Sequence, residues 1–173
     1  LKIGDFLVRP NIYGWTKRNK GNKDYFKFLG YWIGDGCGSD DKIPRISVKD
    51  KEVIFELKRI ALRKHHKITY DGIMTYSFVA DNELHDWKGR HIETNIFKGM
   101  LQDLGLWGCR SYEKFIPSMI FSARTGYVGA FLEGLWMTDG TVNKAIPTLS
   151  YTSTSGLLIK QLRFLLLNHG IWS

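Results

Sequence analysis

The sequence predicts an α+β fold in which two related lobes share one chain, and three observations carry that expectation. The segment Phe28-Leu-Gly-Tyr-Trp-Ile-Gly-Asp-Gly36 recurs as Leu132-Glu-Gly-Leu-Trp-Met-Thr-Asp-Gly140. Gly30, Trp32, Asp35 and Gly36 fall on Gly134, Trp136, Asp139 and Gly140 at a single offset of 104 residues. After each copy the apolar period changes from that of a helix to that of a strand and back again. At 173 residues the chain is of one-domain size and can bury a core without disulfide or metal staples.

Taken in order, residues 1–10 alternate loosely between apolar and polar. Residues 11–24 gather Lys17, Arg18, Lys20 and Lys23 among Gly and Asn and read as a basic linker. The first motif helix is expected to open on Asp24 as its N-cap and to close at Asp35. A Gly-rich turn follows, then a half-buried strand over residues 43–48, with Ile46 and Val48 on one face and Arg45 and Ser47 on the other. Residues 51–64 form an amphipathic helix whose stripe is Val53, Leu57, Ile60 and Ala61. Residues 67–70 and 75–79 read as a hairpin around Asp71-Gly72. Residues 94–104 close the unit as a helix bearing Ile96, Phe97, Met100 and Leu101.

The second copy begins with a helix over residues 126–137. Residues 141–153 give polar strand material, and Gly156–Asn168 a helix carrying Leu158, Leu162, Leu165 and Leu166. The repeat continues past the motif: Pro44-Arg-Ile-Ser47 matches Pro147-Thr-Leu-Ser150, and His66 matches His169, at an offset of 103 residues. Relative to the first copy, the second lacks a hairpin and a closing helix. The expected units are residues 1–23 as an N-terminal segment and linker, 24–110 as the first half, and 111–173 as a linking block with an incomplete second half.

The chemistry of the repeat starts with its small residues. Gly30 and Gly34 lie four apart, as do Gly134 and Thr138, and so share one helical face. Two such faces can approach until backbones touch. A symmetric pairing would carry Asp35 and Asp139 to the same end, with Gly36 and Gly140 ending the helices as C′ glycines. Carboxylates at the negative ends of two helices repel each other unless cations lie between them. That pattern points to a divalent metal site, and paired Asp oxygens suit Mg²⁺. For either segment alone, Asp-Gly as a turn after a buried helix is the simpler reading; its repetition favours function.

Composition narrows the partners. A formal charge of +8 and a pI near 9.5 favour polyanions such as nucleic acid. Cys37 and Cys109 are too few and too separated for a zinc site or a disulfide framework, so a reducing, intracellular (cytoplasmic) setting is expected. His65, His66, His85, His91 and His169 lack ligand-like spacing, and Trp87 and Trp107 read as packing residues. No apolar run is long enough to cross a bilayer, so no membrane partner is expected.

The two motif segments resemble the paired motifs of the LAGLIDADG homing endonucleases (the dodecapeptide, DOD type) in their two-motif, single-chain form. The resemblance implies two pseudo-symmetric αββαββα halves with the motif helices at their interface, the second half being truncated here. It implies a double-strand DNA endonuclease, monomeric, using Mg²⁺ held by Asp35 and Asp139, with Gly34 and Thr138 just before them counted in the same site. The sequence departs from the family pattern in the bulky Phe28 and Tyr31 and in Thr138, which is expected to loosen the helix contact slightly.

Two further blocks resemble parts of inteins. Leu-Lys-Ile-Gly-Asp at the start is similar to the stretch where a splicing domain hands over to an endonuclease, so a flanking splicing domain is an expected partner. Glu113-Lys-Phe-Ile-Pro117 is similar to a block before the second motif whose lysine lies near the metal, which makes Lys114 a candidate for stabilising transition-state charge or activating water. The chain is not itself expected to splice, since it opens on Leu1 and lacks a terminal His-Asn pair.

In such a fold a curved antiparallel sheet lies across DNA and reads its major groove through outward polar side chains. Arg45, Ser47, Lys67, Thr69, Thr75 and Ser77 have the outward parity, and Lys144, Thr148 and Ser150 are expected to bind nucleic acid from the second copy. Water alone would also place polar residues there. The rival function is a nucleic-acid-binding module that does not cut, such as an RNA maturase or a decayed insert.

Overall fold

The computed structural model describes residues 22–38, 43–81, 84–85, 91–92, 95–143 and 145–172. In chain order these form α1 (Lys23–Asp35), β1 (Gly36–Cys37), β2 (Arg45–Ser47), α2 (Lys51–Leu62), β3 (His66–Tyr70), β4 (Thr75–Ala80), β5 (Leu84–His85), β6 (His91–Ile92) and α3 (Ile96–Asp103). A 3-10 turn at Ser111–Glu113 leads to α4 (Ser118–Phe121), α5 (Thr125–Asp139), β7 (Gly140–Asn143), β8 (Thr148–Tyr151) and α6 (Gly156–Asn168). The mixed helix-and-sheet expectation holds. The N-terminal segment up to residue 21, together with Trp87 and Lys144, lies outside the described residues.

The centre of the molecule is α1 against α5. Gly30 lies so close to the backbone of Phe131, Gly134 and Leu135 that a Cβ there would collide with it, and Gly134 meets the backbone of Lys27 and Tyr31 in the same way. Hydrogen in place of a side chain is what lets the two helices touch. Thr138 does not loosen this contact: its side chain fills the notch above Gly34, and its hydroxyl is satisfied by the Leu135 carbonyl at 2.7 Å. The bulky Phe28 and Tyr31 are fully buried in the surrounding core. Lys27 ties the pair at the surface, reaching Glu133 of α5 at 2.7 Å and Glu56 of α2 at 3.3 Å.

Two expectations about the helix ends are corrected. The N-cap of α1 is Asn22, whose side chain accepts from the Asp24 N–H at 3.0 Å. Asp24 is instead buried and takes Arg59 at 2.9 Å and Arg63 at 2.7 Å, both from the region of α2. Burial alone would raise its carboxyl, but the hydrogen bonds from Arg63 and Arg59 outweigh it and hold Asp24 below the usual carboxylate range. At the other end, Gly36 and Gly140 are not left-handed caps. Their φ values of −73° and −81° are extended, so each helix runs straight into a strand. Glycine is needed there for space, because a Cβ would strike Trp32 in one copy and Trp136 in the other.

The main sheet is antiparallel in the order β1-β2-β4-β3. Ile46 and Phe78 point into the core, where Phe28, Phe97 and Leu101 meet them. Val53, Leu57, Ile60 and Ala61 bury the expected face of α2. The hairpin between β3 and β4 is looser than a two-residue Asp-Gly turn: four residues intervene, and Ile73 and Met74 follow Gly72 into positive φ. Trp107 stacks on Trp32 at 6.0 Å, the packing role expected of it, and His66 is buried edge-on to Phe97.

The helix-strand-strand-helix order of α1-β1-β2-α2 recurs as α5-β7-β8-α6. The backbone pairing nonetheless shifts the matching proposed past the motif. Gly36 sits opposite Ile46, whereas Gly140 sits opposite Tyr151, and the next helix is capped by Asp50 in one copy and Ser155 in the other. Ile46 therefore corresponds to Tyr151 and not to Leu149, an offset of 105 residues in place of 103. A two-residue slip keeps every side chain on its face, so the parity of the strand survives.

Candidate active site

Asp35 and Asp139 are the last residues of α1 and α5. Because the helices cross on Gly30 and Gly134, both carboxylates arrive at one end of the pair, close enough to perturb each other electrostatically. Asp35 is half-buried and Asp139 exposed. Burial, with repulsion from Asp139 added, pushes the Asp35 carboxyl up to about 6 against the opposing pull of Lys114. A neutral-pH carboxylate held in this way is a group that gains from a cation.

Lys114 is one of the few buried charges among the described residues, 5% exposed. Its ammonium caps the end of α1, donating to the carbonyls of Trp32 at 3.2 Å, Gly34 at 2.8 Å and Gly36 at 2.9 Å. Its own carbonyl accepts from the buried Ser155 hydroxyl at 2.7 Å, which also caps α6. Burial lowers the ammonium from its ordinary value while Asp139 and Asp35 pull it back up. All three N–H donors are committed to backbone, so Lys114 acts on the site as a fixed positive charge.

Sequence reasoning missed Tyr151, whose hydroxyl donates to Asp139 at 3.4 Å while its ring lies against Trp136. Burial and the neighbouring Asp139 carboxylate raise its phenol. The available signal was an aromatic residue in the strand after the second motif, but its partner depended on a strand register that the repeat misassigned. Asp35 has no comparable partner among the described residues; it opens instead onto a cavity of about 330 Å³ that also involves Ser47, Lys49, Met137 and Thr138.

The oxygen-only donors at this end suit a hard divalent cation. Two aspartates supply the charge, and among the described residues no group of three or more His, Cys, Asp or Glu assembles anywhere. The residue just before each acid, Gly34 and Thr138, stands at the helix contact, and the Gly34 carbonyl is already bonded to Lys114. Two carboxylates with the remaining positions left to water and phosphate is the way proteins hold Mg²⁺.

The six outward residues of the main sheet do share a face. Arg45 pairs with Ser77 and Ser77 with Thr69 in one row, Ser47 pairs with Thr75 in the next, and Lys67 lies two residues from Thr69 on the same side. Thr148 and Ser150 sit together on the separate two-stranded sheet of β7 and β8.

Fold and site together define a mixed α+β protein built on a glycine-packed helix pair that ends in two aspartates. Residues 126–173 match the family described as LAGLIDADG-like domain, a stretch that contains Asp139, Thr138 and Ser150. The match covers 48 of the 173 residues and says what that stretch is similar to. The chain is 25% identical to the replicative DNA helicase DnaB of Rhodothermus marinus over 99% of its length and 19% of the helicase. It is 29% identical to DnaB of Synechocystis over 83% of the chain and 17% of that protein. Against protein RecA of Mycobacterium tuberculosis it is 28% identical over its whole length and 22% of RecA. The chain thus spans about a fifth of the length of these curated relatives. No helix among the described residues is long and apolar enough to cross a membrane.

Proposed function

We propose that this chain is a site-specific double-strand DNA endonuclease of the two-motif LAGLIDADG type, carried as the endonuclease part of an intein. The observation that bears most weight is the backbone-to-backbone contact of α1 and α5, which delivers Asp35 and Asp139 to one spot. Residues 24–110 and 111–173 are read as two pseudo-symmetric halves about that contact, with residues 1–23 leading toward a splicing domain. The intein reading is supported by the matches: one segment aligning with a fifth of a helicase and a fifth of RecA behaves as an insert that differently named hosts can carry.

In this reading Asp35 and Asp139, with Gly34 and Thr138 adjoining, hold Mg²⁺, which when bound supplies Lewis-acid stabilisation and an activated water for phosphodiester hydrolysis. Burial and Asp139 push the Asp35 carboxyl up to about 6, so it is mainly ionised at neutral pH and gains from a bound cation. Lys114 contributes a buried positive charge to the anionic transition state without touching it. The main-sheet face formed by Arg45, Ser47, Lys67, Thr69 and Thr75, with Ser77 buried beneath it, and Thr148 and Ser150 of the second sheet meet the duplex; Lys144 is assigned a phosphate contact, and the protein acts as a monomer.

The test is cleavage of a plasmid library with randomised inserts in Mg²⁺ by the protein and by Asp35→Asn and Asp139→Asn. Each single substitution should lower cutting by at least about 100-fold while leaving duplex binding intact. Undiminished cutting by both would remove the aspartates from the mechanism. A non-cleaving nucleic-acid-binding module, an RNA maturase or a decayed insert, is the second reading, and one observation favours it: Val142 and Leu149, cross-strand neighbours on β7 and β8, are both more than half exposed. Binding that persists in EDTA with no cutting of any insert would decide for that reading.

A further inference from the structure

Asp71 stands in a place that neither the helix pair nor the turn chemistry explains. The loop it opens is already closed by backbone bonds, Asp71 N–H to the Thr75 carbonyl at 2.9 Å and Thr75 N–H to that of Gly72 at 3.1 Å. Both carboxylate oxygens reach back over the polar face of the sheet instead. One accepts from the Thr69 hydroxyl at 3.5 Å; the other accepts from the Ser77 hydroxyl and pairs with Arg45 Nε at 3.6 Å. Ser77, outward by parity, is only 2% exposed in this cluster. The cluster lines a depression of about 490 Å³ that also involves Ile43 and Ile73.

A carboxylate on the face that meets a polyanion costs affinity, so its value has to lie in selectivity. Its pairing with Arg45 gives the clue to what is selected. Across the major groove a G·C pair offers two acceptors on guanine, N7 and O6, and next to them the N4 amino donor of cytosine. A guanidinium with a carboxylate beside it offers two donors and then an acceptor, the complement in the same order. An A·T pair puts a donor in the middle of its edge and clashes with the second N–H.

We infer that Arg45 and Asp71 read one G·C base pair of the target, Arg45 contacting guanine and Asp71 holding Arg45 while accepting from cytosine. The inference rests on the DNA-binding reading above and makes Asp71 a specificity-determining residue, with Thr69 and Ser77 fixing its orientation. Among the described residues only the main sheet carries this pair, so the preference belongs to one arm of the target.

The experiment is a binding selection from a randomised duplex library in EDTA, which keeps recognition separate from cutting. The protein should enrich G·C at one position of one arm. Asp71→Asn, nearly isosteric, should lose at least about tenfold of that preference, the scale of one bidentate base contact, and bind random duplex at least as well. Arg45→Lys, which keeps the charge and removes the fork, should relax the same position. Unchanged base preference in both variants, or a loss spread evenly over all positions, would overturn the assignment. Absence of duplex binding by the unmodified protein would sink the DNA reading itself, and this inference with it.

Discussion

Tyr151 donates its hydroxyl to Asp139, whereas the position of the same register in the first copy is held by Ile46, which has no hydrogen to give. The two aspartates are alike in sequence and unlike in surroundings, with Lys49 across a cavity from Asp35 and Tyr151 bonded to Asp139. On the proposed endonuclease reading, cutting of the two strands is therefore expected to proceed at different rates, with nicked plasmid accumulating before linear product. Tyr151→Phe should alter one strand's rate by a factor on the order of ten or less, the scale of a single hydrogen bond to a charged group. End-labelled duplexes measure this, and equal strand rates in both proteins would remove Tyr151 from the site.

Asp35 sets up a trade between stability and function. Its folded-state carboxyl lies at about 6, above the value of 3.8 expected of an unperturbed Asp. The unfolded chain thus ionises first, and the fold loses stability as pH rises from about 4 to about 6, the loss persisting above that. In EDTA at pH 7, Asp35→Asn should raise the stability by an amount on the order of 1 kcal/mol after allowance for solvent screening, an advantage that vanishes below about pH 4. Mg²⁺ should stabilise the unmodified protein and not the variant, a reversal that calorimetry with and without the cation would reveal.

Substitution of glycines separates contact from propensity. Gly30→Ala forces a methyl into the backbone of α5 and should cost about 3 kcal/mol or more, since neither helix backbone can yield as a side chain would. Gly129 lies in the interior of the same α5 with nothing near its missing Cβ, and Gly129→Ala should stabilise by up to about 1 kcal/mol. Denaturant midpoints moving in the same direction for both variants would show that the helices do not meet at Gly30.

Asp24 supplies the acid sensitivity. Its carboxyl is held low by Arg63 and Arg59 despite burial, so its contribution is present above the ordinary Asp range and is lost as pH falls through the lowered value. Asp24→Asn should cost roughly 2 kcal/mol at pH 7, less than a fully buried pair because Arg63 is half exposed, and less again at a pH low enough to protonate the carboxyl. Urea unfolding at the two pH values provides the comparison.

The sequence was most informative where one local pattern had one spatial meaning. Small residues four apart permit close helix contact, and Gly30 with Gly134 realise it; the stripe of α2 and the span of α6 were likewise legible because an apolar period of a helix has one solution. Asp24 misled because Asn22 is an equally good cap, and only the arginines of a later helix decide between them. Gly36 and Gly140 misled because a left-handed cap and a collision with tryptophan demand the same residue. Lys114 was singled out by resemblance, but its burial could not be foreseen, since the carbonyls that hold it belong to residues some eighty positions earlier. Asp71 looked like turn chemistry until the direction of its carboxylate was seen.

The interlock of Gly30 with Gly134 also limits how such proteins can be recombined. The helix pair has no side-chain layer at its crossing to absorb a mismatch, so a chimaera that joins the front of this chain to the back of a relative inherits either a matching notch or a wedge. Grafting new recognition surfaces onto the scaffold is correspondingly easier when both motif helices travel together and only the sheets are exchanged.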